Sequence, residues 1–264
     1  MKAKAVLIIL IISVGCSSAK KAVSNKITFA ENSVIAHRGA WKQNGFPQNS
    51  IASLQQAIAL KCTGSEFDVR MTADDTLVIN HDPHYNNLEI EKTNYADLLA
   101  FKLSNGEKLP TLREYILAGI ENNQSTRLVC EIKPSGINKE RGQRIATKVV
   151  DLFRQLNAQH LVVYISFDYD ILKKIIGVNP TAKTQYLEDN KSMDQLKADG
   201  ITGADYFIWS YKDHPEMIES AKTHQLTLNA WTVNEAADMD WFITNGFDFI
   251  TTDEPALLLE RLQK

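Results

Sequence analysis

The run Leu161-Val162-Val163-Tyr164-Ile165-Ser166 decides how this chain folds. It is apolar at successive positions, where a strand with one wet face would alternate, so both of its faces must be covered. Phe247-Asp248-Phe249-Ile250-Thr251 reads in the same way. Outward from these two, β-rich runs recur at Ser33–His37, Ser65–Met71, Thr76–His81, Arg127–Ile132, Thr181–Leu187, Ala204–Ser210 and Thr227–Thr232. The last run extends over Phe247–Thr252. Helical patterns fill the gaps at 49–60, 111–121, 139–157, 168–177, 191–198, 214–224, 235–244 and 254–262. In the first of them Asn49 or Ser50 can cap the helix, and Ile51, Leu54 and Ile58 form an apolar stripe.

Strand and helix in alternation predict a parallel sheet with helical cover. The stretch 33–264 matches the length of a closed TIM (β/α)8-type barrel, roughly 250 residues, as a single domain. A doubly wound open sheet is the rival that periodicity does not exclude. Only Thr72-Ala73-Asp74-Asp75 separates Met71 from Thr76, too little chain for a crossover helix. The α/β barrel is therefore slightly irregular: one unit lacks its helix, or these two strands form a hairpin.

The first residues read differently. Lys2 and Lys4 precede the apolar run 5–14, which is too short to span a bilayer, where about 20 residues are needed. It fits the core of a secretory signal. Gly15-Cys16-Ser17 resembles the lipobox of bacterial lipoproteins, with Ser13 where that box usually carries leucine. The expectation is a signal peptide over 1–16, lipidation at Cys16, a polar tether over 17–32 and the barrel domain over 33–264. The protein is then exported, periplasmic or held at the cell envelope by its lipid. A net charge of −3 and pI of about 6.1 exclude a broad basic nucleic-acid surface. Cys62 and Cys130 have no CxxC spacing and are expected as buried free thiols. With no self-association patch evident, monomer is the default.

Polar residues concentrate at strand ends. The first strand ends in His37-Arg38-Gly39. Glu66 and Asp68 alternate by two on the second and share a face, as do Glu131 and Lys133 on a later one. The third run ends in His81-Asp82. In a barrel these ends converge on one mouth. Three carboxylates suit a hard divalent cation such as Mg²⁺ or Ca²⁺. Arg38 and Lys133 suit phosphate oxygens, and two histidines can divide general base and general acid between them. Taken singly, each residue is more often a satisfied polar group or salt-bridge partner. Jointly they resist a structural reading, because burying unpaired charge is costly.

The series His37-Arg38-Gly39, Pro47-Gln48-Asn49-Ser50, Glu66-Phe67-Asp68-Val69 and His81-Asp82 resembles the signature of glycerophosphodiester phosphodiesterases. The likeness continues through Pro110-Thr111-Leu112, Glu131-Ile132-Lys133-Pro134, Ser166-Phe167-Asp168, Trp231-Thr232-Val233-Asn234 and Thr252-Asp253-Glu254-Pro255. It implies a TIM barrel that cleaves small-molecule glycerophosphodiesters to sn-glycerol 3-phosphate and an alcohol. By position, Glu66, Asp68 and Glu131 would bind metal, His37 and His81 would be the acid–base pair, and Arg38 and Lys133 would hold phosphate. The family usually has glutamate where this chain has Gln48, which removes a charge and keeps the reach.

Phe167, Trp231 and Gln48 are further candidates for the substrate pocket. His84 reads as a loop residue, and His160, His214 and His224 as structural or solvated. The stretch 83–109, where the family carries an insertion, is short and polar here and predicts an open mouth. Two alternatives remain: a phospholipase D-like enzyme acting on lysophospholipids or sphingolipids, and a surface lipoprotein that binds without turnover.

Overall fold

The computed structural model describes residues 27–263. Among the described residues eleven strands form: β1 (Val34–Ala36), β2 (Gly64–Met71), β3 (Leu77–Ile79), β4 (His84–Tyr85), β5 (Leu88–Glu89), β6 (Arg127–Ile132), β7 (Val162–Ser166), β8 (Lys183–Tyr186), β9 (Gly203–Phe207), β10 (Thr227–Trp231) and β11 (Phe249–Thr252). Eight of them pair in parallel in the cycle β1-β2-β6-β7-β8-β9-β10-β11, and β11 closes onto β1 with Ile35 opposite Thr251. Closure rejects the open-sheet rival.

Ten helices accompany them: α1 (Ile51–Ala59), α2 (Tyr95–Leu98), α3 (Leu112–Ile120), α4 (Lys139–Gln155), α5 (Tyr169–Val178), α6 (Met193–Ala198), α7 (Ile208–Asp213), α8 (Glu216–Thr223), α9 (Ala236–Thr244) and α10 (Pro255–Arg261). Caps start several of them where the sequence supplies the residue. The Ser50 side chain accepts from the Ser53 N–H, and Thr111 with Glu114 makes a capping box.

The unbroken apolar strands are explained by two cores. Outward-facing Phe67, Leu128, Cys130, Tyr164, Ala204 and Ile250 pack against the helices. Inward-facing Ile35, Val129, Val163, Ile165 and Leu187 fill the barrel with Phe167, Trp231 and Phe249. Each fully buried side chain of this size contributes about 1.5–3 kcal/mol.

The short link after Met71 makes a hairpin: β3 runs antiparallel to β2, with Val69 opposite Ile79. Because β2 overshoots the barrel rim, β3 folds back and the Asn80 N–H reaches the Asp68 carbonyl at 3.0 Å. His81 is thus delivered to the rim by a strand outside the barrel.

Three expectations shift. The run Ala204–Ser210 breaks at Phe207, and α7 begins at once. The stretch 83–109 is not simply polar, since Tyr85, Ile90, Leu98 and Leu109 bury themselves with Val78 in a small core of their own. The tether ends earlier than residue 32. Thr28 and Ala30 donate backbone hydrogen bonds to Gln124 and Ser125, and Phe29 lies 3.9 Å beneath the Arg127 guanidinium, at the N-terminal end of the barrel. Cys62 and Cys130 are free and buried, and Cys16 lies outside the described residues. Among the described residues no helix is long and apolar enough to cross a membrane.

Candidate active site

His37, Arg38, Glu66, His81, Glu131 and Lys133 line one cavity at the C-terminal end of the barrel. The alternation of β2 and β6 explains the convergence. Phe67 and Cys130 point out to the helices, so Glu66, Asp68 and Glu131 must point in.

The three carboxylates are buried and offer ligand atoms within 4.8 Å of one another. Lys133 Nζ ion-pairs with Asp68 Oδ1 at 2.8 Å and Glu131 Oε1 at 2.6 Å. Glu66 Oε2 accepts the Arg38 backbone N–H at 2.8 Å, while Glu66 Oε1 has no hydrogen-bond partner. Burial, followed by the charges of Asp68 and Glu131, pushes Glu66 well above the usual carboxylate range. Burial and Asp68 carry Glu131 up to about 7. Burial also acts to raise Asp68, but Lys133, His81 and Asn49 outweigh it and hold Asp68 low. Three packed carboxylates against one lysine, one of them with an orphaned oxygen, form a donor set that fits a hard divalent cation.

Each histidine is oriented by a carboxylate. His37 Nδ1 lies 2.8 Å from Asp253 Oδ1, and Asn234 fixes Asp253 from behind through Nδ2 at 2.9 Å. His81 Nδ1 lies 2.8 Å from Asp82 Oδ1. An ionised carboxylate accepts only, so it selects Nδ1–H and leaves Nε2 able to take a proton. Burial lowers the His81 pKa, with Asp68 opposing it.

Arg38 sits at φ 55, a left-handed backbone that Gly39 continues at φ 81. A Cβ on Gly39 would stand 2.4 Å from Ser53 Oγ, the hydroxyl that donates to the Arg38 carbonyl, so only glycine fits. The Arg38 guanidinium lies 3.7 Å from Asp68 and donates to Gln48 Oε1 at 2.7 Å. Gln48 is exposed and does not line the cavity; it holds Arg38 instead of walling substrate. Phe167 and Trp231 do line it, edge to face with ring centroids 5.4 Å apart.

Four further residues bear on the site and escaped the sequence reading. Asn49 donates to Asp68 at 2.7 Å, and Asp253 orients His37. Arg70 clamps the His81 carbonyl with Nε at 2.9 Å and Nη2 at 2.7 Å. Asp205 lines the cavity from β9. The first two lay inside motifs already quoted; Arg70 and Asp205 carried no pairing signal. His224 bonds Asp194 and Ser220, His214 pairs with Glu216, and neither lines the cavity.

Fold and site together define a barrel enzyme of the phosphodiesterase class. Residues 37–257 match the Glycerophosphoryl diester phosphodiesterase family. The chain belongs to that family. It is similar to a glycerophosphodiester phosphodiesterase of known structure from Parabacteroides distasonis, 38% identical with a TM-score of 0.85, covering 89% of this chain and 98% of that one. A glycerophosphodiester phosphodiesterase of Caldanaerobacter subterraneus subsp. tengcongensis is 28% identical over 248 residues, 88% of this chain and 98% of the relative. The fold also matches an Oleispira antarctica phosphodiesterase solved with the product sn-glycerol-3-phosphate, at 21% identity and TM-score 0.76 over 90% of this chain and 98% of that one.

Proposed function

We propose that this enzyme hydrolyses glycerophosphodiesters to sn-glycerol 3-phosphate and an alcohol, using one divalent cation, Mg²⁺ or Ca²⁺, and two histidines. The observation that carries the reading is the buried triad Glu66, Asp68 and Glu131, whose Glu66 and Glu131 line one cavity with two carboxylate-oriented histidines. The triad would hold the cation, which when bound polarises a phosphoryl oxygen. Arg38 and Lys133 place positive charge beside the phosphate oxygens. One histidine Nε2 takes a proton from the attacking hydroxyl or water, and the other returns one to the departing alcohol. Asp253 and Asp82 keep both rings turned for these transfers and stabilise whichever imidazolium forms.

The test is release of sn-glycerol 3-phosphate from glycerophosphocholine by the purified protein with Mg²⁺, with Ca²⁺ and with EDTA. Cation-dependent release that His37→Ala abolishes supports the reading. Release that persists in EDTA, or turnover confined to lysophospholipids, sinks it. Export and lipidation at Cys16 are part of the same proposal, supported by the apolar run 5–14 ahead of Gly15-Cys16. Incorporation of labelled fatty acid that Cys16→Ser fails to remove would reject that part.

A further inference from the structure

The cavity holds one more buried acid, on the side away from the triad. In the eight-strand cycle β9 lies four strands from β2 in either direction, so Asp205 faces Glu66 and Asp68 across the barrel. Asp205 is 1% exposed and lines the cavity, yet its Oδ1 has no hydrogen-bond partner. Its carboxyl meets the Asn229 side chain, and Asn229 Oδ1 in turn accepts from the Thr251 hydroxyl at 3.2 Å. The Asp205 backbone carbonyl accepts the Trp231 indole N–H at 2.9 Å. Ile165, Phe167, Leu187 and Trp231 surround this polar floor with apolar surface.

No arginine or lysine among the cavity-lining residues stands on this side; Arg38 and Lys133 follow β1 and β6. Burial, then the charge of Glu131, pushes the Asp205 carboxyl well above its ordinary range. A buried carboxyl with one unpartnered oxygen beneath an apolar wall suits a hydroxyl on a short carbon skeleton.

We propose that Asp205 binds the substrate's polyol end, taking the glycerol hydroxyl farthest from phosphorus, and is a specificity-determining residue of this site. The assignment rests on the glycerophosphodiester reading above. It is tested by comparing kcat/KM for glycerophosphocholine with that for the analogue built on propane-1,2-diol. This analogue lacks only the terminal hydroxyl and keeps the one beside the phosphoester. Wild type should prefer glycerophosphocholine by about tenfold or more, the range for a hydroxyl held by a buried polar group. Asp205→Ala should bring the two substrates within about twofold. Asp205→Asn keeps the shape and a hydrogen-bonding group, so it should retain most of the preference.

Absence of a wild-type preference overturns the proposal, whether or not any variant folds. So does a folded Asp205→Ala that loses both substrates equally with the preference intact, since that is the pattern of a purely structural residue. If wild type cleaves neither diester, the underlying reading fails and this assignment with it. Cleavage of glycerophosphocholine with equal cleavage of the analogue removes Asp205 alone.

Discussion

The mouth of this barrel has two unlike arcs. The arc of β1, β2 and β6 carries Arg38, Glu66, Asp68, Glu131 and Lys133, each tied to another by an ion pair or hydrogen bond. The arc from β7 to β10 presents Ile165, Phe167, Leu187 and Trp231, held by packing, with Asp205 at its floor. The difference teaches where function is brittle. A charged group on the first arc cannot be removed without orphaning a buried neighbour, a loss that low dielectric magnifies. Ile165, Phe167 or Leu187 on the second arc can be trimmed at the cost of contact area alone, whereas Trp231 and Asp205 also carry polar contacts.

The sharpest break of that contrast is Glu66→Gln. On the proposed mechanism it should lower cation-dependent kcat by about 10³-fold or more, since several kcal/mol of transition-state stabilisation would pass through the triad. A near-normal kcat, with unchanged cation affinity by calorimetry, would remove Glu66 from the ligand set. Arg70→Met comes next. It frees the His81 carbonyl, and kcat should fall by about 10–100-fold with a shifted pH profile while KM changes little. An unaltered pH profile would make Arg70 a folding residue only.

On the second arc Phe167→Ala should raise KM by about 2–10-fold, the worth of one aromatic contact, and leave kcat within twofold. A collapse of kcat would show that the arcs are coupled. The smallest effect concerns pH and stability. Burial acts to raise the Asp253 pKa, but His37 and Asn234 outweigh it and hold it below the usual value. Its stabilisation is therefore complete above the unfolded pKa of about 3.9 and is lost as pH falls through the lower folded value. Asp253→Asn should lower Tm at pH 7 by roughly 2–4 °C, the shift for about 1 kcal/mol in a domain this size. The gap to wild type should narrow as pH falls below about 4; a gap that stays constant with falling pH would assign it to packing.

Much of the barrel was legible because its strands are apolar on both faces and separated by polar, capped helices. Val162–Ser166 and Phe249–Thr252 are examples. The hairpin stayed ambiguous because four residues after Met71 permit either a turn or a missing helix. The start of α7 was hidden, since Phe207-Ile208-Trp209 continues the pattern of β9 without a polar break. Tyr85, Ile90 and Leu98 follow neither a helical nor a strand period, so the small core they form with Val78 and Leu109 could not be read. In the candidate site, Glu66 with Asp68 and Glu131 with Lys133 stood out as charged doublets on single faces. Asp205 had no doublet, and Arg70 spends its guanidinium on a carbonyl, which leaves no trace in side-chain types.

The docking of Thr28 and Ala30 beside Gln124 and Ser125 has a practical corollary. The chain enters this domain on the side opposite its mouth. Whatever is joined upstream, whether an acyl chain, a fusion partner or a sensor chip, therefore leaves the catalytic opening unobstructed. Immobilisation through the N-terminus should preserve turnover of freely diffusing diesters, whereas coupling through the loops after β6 or β9 should obstruct it.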